Sequence, residues 1–268
     1  MFDHAYTFDT SLALRKLNCN SNDRVILCDE DLSGNFHSGG LHGGWTKEVA
    51  QRLAATFPNA RIVIFIREQK SLLSSIYQQY IREGGTHKPY RYFHPYVFLP
   101  RRGFQPSKVA LFSFEHFRYP YLIRLYQNLF GSENVFVFLY EDFRTNYNQF
   151  IKLFRSKLNL DIEESAISWE HQNISYQRYA LALARFINHF TWRDVVDKRY
   201  WFPVPGLYMY SHKWIQSTNK RLPLGGYLNY ESLFNSGLIK KINQIYRDDN
   251  RWIMEHFDLP LDKHGYAL

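Results

Sequence analysis

Residues 62–66, Ile-Val-Ile-Phe-Ile, form an unbroken apolar run of β-branched and aromatic side chains, closed at its two ends by Arg61 and Arg67. A run of that length and composition predicts a strand buried on both faces. Beyond it, Leu72, Leu73, Ile76, Tyr77 and Tyr80 recur at helical spacing, which predicts a helix running to Arg82 and ended by Gly84-Gly85. The same alternation repeats along the chain. Apolar runs at 24–28 and 135–140 read as two further strands, and 45–57 (stopped by Pro58), 119–130 and 147–158 read as helices. Strand and helix in turn, with buried strands, predict an α/β fold built on a parallel sheet with right-handed crossovers. The C-terminal third differs. Helical periodicity is found at 176–190 and 232–257, separated by an aromatic loop at 191–226, and a second long loop spans 86–118. The expected organisation is one domain over 1–268, with a sheet core at roughly 24–160 and a mainly helical, loop-rich part after it.

The longest apolar runs are too short to cross a bilayer, and the N-terminus lacks the basic-then-apolar layout of a signal peptide, so the expectation is a soluble chain, with the bacterial cytoplasm as the simplest setting. Cys19 and Cys28, the two cysteines, make no disulfide framework; Cys28 falls in an expected buried strand, and both read as ordinary thiols in a reducing compartment. Asn173-Ile174-Ser175 is a single glycosylation sequon, a pattern common by chance. A net charge of +8 and a pI near 9.3 call for anionic company. Nucleic acid, an anionic membrane surface or a nucleotide with several phosphates would each serve; the cations are scattered with no long basic run, which argues against nucleic acid, and the charge reads as partly solubility and partly phosphate binding. Aromatics make up 18% of the residues, roughly twice the ordinary share, and gather near 90–98 and 200–210, where they either line an acceptor pocket or pack beneath loops. The histidines and cysteines show no metal-ligand spacing, so no metal is expected.

Arg67 stands where a strand ends and a helix begins, a position at which α/β folds bind anions, and where a helix start adds N–H groups and a favourable dipole. Arg67, Ser75 eight residues on, and Tyr77 resemble the 3′-phosphate-binding segment of sulfotransferases that use 3′-phosphoadenosine 5′-phosphosulfate. The resemblance continues through most of the chain. Ile26 to Phe36 is similar to the segment that carries the family's catalytic base, Val135 to Leu160 to its later strand, Tyr-Glu-Asp turn and helix, and Tyr246 to Arg251 with Gly265-Tyr266 to the C-terminal helix and tail of bacterial members. Arg67-Glu68-Gln69 also suits a bacterial subgroup. The resemblance implies a P-loop-NTPase-like central parallel sheet flanked by helices, contacts of Arg67 and Ser75 with the nucleotide's 3′-phosphate, Tyr140 near adenine, and Glu30 as base. His37 and His42 are the alternative bases, and an acidic strand end or helix cap is the non-catalytic reading of Glu30.

One departure stands against these matches. Sulfotransferases open with a strand and a phosphosulfate-binding loop of the form Pro-Lys-Ser/Thr-Gly-Thr-Thr, and nothing in 1–23 corresponds to it. Gly39 to Thr46 is the nearest substitute, with Trp45 standing where the lysine belongs, and reads as a loop over the site. An N-terminally shortened sulfotransferase is the favoured account and a natural short form the other. The implied function is transfer of a sulfuryl group from 3′-phosphoadenosine 5′-phosphosulfate, as co-substrate, to a hydroxyl or amine of a carbohydrate or small molecule. The alternative is a relative that binds nucleotide or sulfated ligand without transfer; a kinase ranks below both.

Overall fold

The computed structural model describes residues 4–17, 25–34, 36–37, 43–94, 112–161, 175–191 and 198–268. Its helices are α1 (Thr10–Leu17), α2 (Gly44–Thr56), α3 (Gln69–Arg82), α4 (Pro89–Phe93), α5 (Tyr119–Phe130), α6 (Tyr140–Thr145), α7 (Tyr147–Leu158), α8 (Arg178–Ile187), α9 (Leu207–Arg221), α10 (Tyr230–Leu233) and α11 (Ser236–Phe257). Two strands, β1 (Ile62–Ile66) and β2 (Val135–Leu139), pair in parallel with Ile62 opposite Val135 and Ile66 opposite Leu139. The α/β class stands, in a chain that is mostly helical. Among the described residues the sheet has these two strands and is smaller than the central sheet expected.

Two cores share α3. On one side, Ile64 and Ile66 of β1 meet Val49, Ala50 and Leu53 of α2, and Ile123 and Tyr126 of α5. The spacing of those apolar positions is why α2 and α5 are helices at all: each buries one stripe and leaves the other wet. Pro120 in the first turn of α5 needs no N–H partner there, and Gly131, with φ 85°, takes the conformation that ends the helix. On the other side, Leu73, Tyr77, Tyr80 and Ile81 of α3 pack with Leu181 and Ala184 of α8, Ile215 of α9 and Tyr246 of α11. Tyr92 and Phe93 of α4 belong to this core, the Tyr92 ring stacking on Tyr80 with centroids 4.5 Å apart. Of the aromatics near 90, Tyr92 and Phe93 therefore pack as core and Tyr90 is exposed; residues 95–98 lie outside the described set.

Four expectations are corrected. Residues 25–29 form no strand, and Cys28 is exposed; Arg24 and Cys19 lie outside the described residues. β1 is not buried on both faces, since Val63 and Phe65 are 36% and 45% exposed. The span 191–226 contains the fifteen-residue α9, and 86–118 contains α4 and a short 3-10 turn at Phe114–Phe117. The helix expected over 232–257 is broken: α10 ends at Leu233, and Asn235 caps α11 by accepting the Leu238 N–H. No helix among the described residues is long and apolar enough to cross a membrane.

A buried amide pair fixes the last helix to the site-bearing one. Asn250, fully buried, accepts from Gln69 Nε2 at 2.6 Å and donates to Gln69 Oε1 at 3.2 Å and to the Ala267 carbonyl at 2.9 Å. Replacing Asn250 with leucine strands three polar groups, so Asn250→Leu is expected to lower stability by about 1–3 kcal/mol in urea unfolding, with part of the loss recovered in Gln69→Leu/Asn250→Leu. An unchanged midpoint in the single variant would show that the pair carries no weight.

Candidate functional site

The geometry around Arg67 begins with its backbone. The Arg67 N–H donates to the Tyr119 hydroxyl at 3.1 Å, and that hydroxyl donates to the Arg67 carbonyl at 2.5 Å, so one phenol on α5 clamps both polar groups where β1 ends. Burial holds the Tyr119 hydroxyl protonated by pushing its pKa far above the ordinary value. The side chain then leaves the strand in a fixed direction. Its Nε and Nη2 donate to Ser71 Oγ at 3.2 and 2.6 Å, and its guanidinium carbon lies 4.8 Å from the centroid of the Tyr140 ring. No carboxylate pairs with Arg67 among the described residues.

The start of α3 does not offer the free amides expected of it. Glu68, which is 6% exposed, caps the helix with its own carboxylate, accepting the Lys70 N–H at 3.1 Å and the Ser71 N–H at 2.8 Å. Its own N–H donates to Glu141 Oε1 at 2.8 Å. Lys70 Nζ sits 2.7 Å from Glu68 Oε1 and also donates to the Gly265 carbonyl at 3.0 Å. Any anion here is therefore met by side chains, among them Arg67, which no acid among the described residues neutralises.

Ser75 lies one turn past Ser71 on the same helix face, because 67, 71 and 75 are spaced by four. Its hydroxyl donates to the Ser71 carbonyl at 3.2 Å. Arg67 and Ser75 both border a cavity of about 2100 Å³, and so does Tyr140. The serine in direct contact with the guanidinium is Ser71, which the sequence reading passed over and which the hydrogen bonds of the structure identify. A smaller hollow of about 210 Å³ opens beside Arg67 and Ser71, bordered by Tyr140, Arg144, Tyr230 and His264. His264 is held there by Asp142, Nε2 to Oδ1 3.0 Å.

Glu30 begins a 3-10 turn, Glu30–Ser33, but its side chain lies outside the described set, as do His42 and residues 38–41. Asp29, not Glu30, caps that turn by accepting the Asp31 N–H at 2.8 Å. His37 is half-buried, and desolvation lowers its pKa against the opposing pull of Glu83 and Asp31; its carbonyl accepts from the Tyr92 hydroxyl at 2.9 Å. In the glycine-rich stretch, Gly43 precedes α2 with φ 78°, a conformation other residues rarely adopt, and borders the large cavity. Thr46 borders it too, with its hydroxyl committed to the Ser33 carbonyl at 2.8 Å. Among the described residues no group of acidic, histidine and cysteine side chains is placed to hold a metal ion.

His116 was not anticipated. It borders the large cavity, its ring 5.9 Å from Phe36 and 5.1 Å from Phe117, and its buried Nε2 has no hydrogen-bond partner among the described residues. Desolvation pushes its pKa from 6.5 down to about 4. The unfolded chain takes up this proton first, so folding stability is complete above about pH 6.5 and falls as the pH drops toward 4. With that depression, the wild type is expected to lose about 2 kcal/mol more than His116→Gln between pH 7 and pH 4.5, measured by urea unfolding at the two pH values. Parallel losses in the two proteins would remove the imidazole as the cause.

Comparison of the whole chain with protein-family models, with curated proteins and with solved structures finds no match.

Proposed function

We propose that this chain binds a 3′-phosphorylated adenine nucleotide at Arg67 and serves sulfuryl transfer from 3′-phosphoadenosine 5′-phosphosulfate to a hydroxyl or amine of a carbohydrate or small molecule. The observation that carries the reading is the presentation of the Arg67 guanidinium at the C-terminal end of the parallel strand β1. It is held by Ser71, backed by the Tyr140 ring and, among the described residues, left without a carboxylate partner. A planar fork with two serine hydroxyls on the adjoining helix face suits a phosphate, and an aromatic ring beside it suits a base. What supports the sulfotransferase resemblance here is the nearness of Arg67 to Tyr140 and the place of Ser75 on the bordering helix, the residues to which the resemblance assigns the nucleotide.

In the transfer itself the acceptor oxygen or nitrogen forms a bond to sulfur as the bond from sulfur to the 5′-phosphate oxygen breaks. The acceptor's proton passes to a protein base, and 3′-phosphoadenosine 5′-phosphate departs with the electron pair. Glu30 is the base that the resemblance proposes. The 5′-phosphosulfate has less support than the 3′ end: of the glycine-rich stretch, Gly43 and Thr46 reach the cavity, and the Thr46 hydroxyl is already engaged. Nucleotide binding without transfer is the reading which that gap favours.

Calorimetric titration with 3′-phosphoadenosine 5′-phosphate separates the two. Micromolar binding is expected, weakened at least tenfold by Arg67→Ala or by omitting the 3′-phosphate, because a charge-assisted phosphate contact contributes about 1.5–3 kcal/mol. Binding indifferent to both changes would refute the site. Binding that needs both, with no sulfate moved from the phosphosulfate to a panel of sugars and phenols, would leave the binding-only reading.

A further inference from the structure

Arg67 borders two spaces, the cavity of about 2100 Å³ and the hollow of about 210 Å³, and Tyr140 and Arg144 of α6 border both with it. Ser75 borders the first and Ser71 the second. The hollow is smaller than the roughly 300–1,000 Å³ of a site for a whole small molecule, so it has room for one terminal group of a ligand whose remainder lies in the large cavity. Its wall is charged. Arg67, Arg144, Glu68, Glu141 and His264 all contribute to it. Both carboxylates are engaged, Glu68 with the first turn of α3 and with Lys70, and Glu141 with the Glu68 N–H at 2.8 Å and the Tyr266 hydroxyl at 3.2 Å. From α10 the wall receives Tyr230, a phenol that burial and the nearby Glu231 and Glu68 keep protonated. On the 3-10 turn that carries His264, Leu261–His264, the exposed Asp262 and Lys263 are of opposite charge. The positive Arg67, Arg144 and Lys70 are matched by the negative Glu68, Glu141 and Asp142, so His264 decides the balance. Its Nε2 lies 3.0 Å from Asp142 Oδ1. An ionised carboxylate only accepts, so Nε2 carries a proton, and in the neutral ring Nδ1 is left as a bare lone pair. Protonating the ring turns Nδ1 into a donor and adds a positive charge.

We propose that the hollow takes the 3′-phosphate of the nucleotide, gripped by Arg67, Arg144, Ser71 and an imidazolium at His264, so that binding is coupled to the uptake of one proton by His264. The proposal rests on the reading of Arg67 as a nucleotide-binding residue, and it assigns the phosphate to the Ser71 side of that arginine rather than to the Ser75 side. Two guanidinium forks and a hydroxyl suit the oxygens of a phosphate monoester, and the imidazolium supplies the charge that the balanced wall lacks. The coupling runs both ways: an anion in the hollow favours the charged ring, and the charged ring favours the anion. Imidazole is the side chain that changes charge between about pH 5 and 8, so nucleotide affinity falls as the pH rises through that range.

The test is calorimetric titration of the full chain with 3′-phosphoadenosine 5′-phosphate at pH 6 and pH 8, for the wild type, His264→Gln and His264→Lys. A phosphate monoester loses its second proton near about pH 6, which changes the ligand equally for all three proteins, and His37 and His116 are common to them. The readout is therefore the ratio of variant to wild-type affinity at each pH. His264→Gln is expected to weaken binding at least fivefold at pH 6 and less than twofold at pH 8, and His264→Lys to bind at least fivefold more tightly than the wild type at pH 8. With adenosine 5′-phosphate, which has no group for the hollow, the ratios are expected to be the same at both pH values. A His264→Gln ratio that does not change with pH would overturn the proposal, while binding that still needs Arg67 and the 3′-phosphate would leave the nucleotide reading standing. A pH-dependent ratio retained with adenosine 5′-phosphate would put another group in the hollow and overturn the assignment. Binding indifferent to Arg67→Ala, or absent at both pH values, would overturn the proposal together with the reading beneath it.

Discussion

The carboxylate of Glu68 is the interaction on which the arrangement around Arg67 depends. One nearly buried group closes the first turn of α3, cancels the charge of Lys70 and thereby fixes the ammonium that reaches the Gly265 carbonyl. A charge this deep is tolerable only because it is paired and fully hydrogen-bonded, and removing its lysine would leave it more costly than the pair is valuable. It also sorts the electrostatics of the strand end. The acid is matched by the lysine behind it, so the arginine in front keeps its positive charge for whatever enters from the cavity. The helix dipole, elsewhere the usual anion hook, is here answered internally.

The clamp by Tyr119 adds direction to charge. A flexible arginine on a loose strand end would have to be ordered by its ligand, at the cost of side-chain and backbone entropy. With both backbone groups of Arg67 bonded to one phenol and the guanidinium bonded to Ser71 over the Tyr140 ring, most of that ordering is present beforehand. Three elements, α3, α5 and α6, thus converge on one residue, and α8, α9 and α11 of the second core pack behind α3.

Much of this was legible in the sequence where local pattern and tertiary demand agree. α5 and α7 were readable to the residue because Pro120, Gly131 and Asn146 mark their ends and their apolar stripes are regular. β2 was readable because it is buried as its composition requires. The run at 24–28 has the same composition, but a strand exists only with a neighbour to pair with, and composition does not supply one. α9 was hidden for the opposite reason. Its buried positions, His212, Ile215 and Asn219, include two polar side chains, so the helical stripe was not an apolar one. Arg67 and Ser75 announced themselves through spacing. Ser71 and His116 needed coordinates, since one is defined by a hydrogen bond and the other by an imidazole nitrogen that nothing meets.

The Lys70 ammonium and the Gly265 carbonyl are 195 positions apart in the chain. Contacts of such separation close only after everything between them has been made, and a chain emerging at the ribosome's pace reaches residue 265 seconds to tens of seconds after residue 70. During that interval α3 can fold with its neighbours on the first core, but the lysine that balances Glu68 has no carbonyl to hold. The partners of Arg67, namely Ser71, Tyr119 and Tyr140, all precede Gly265 by a long stretch of chain, so a nascent chain has what it needs to set the arginine early and to hold the neighbouring lysine only late.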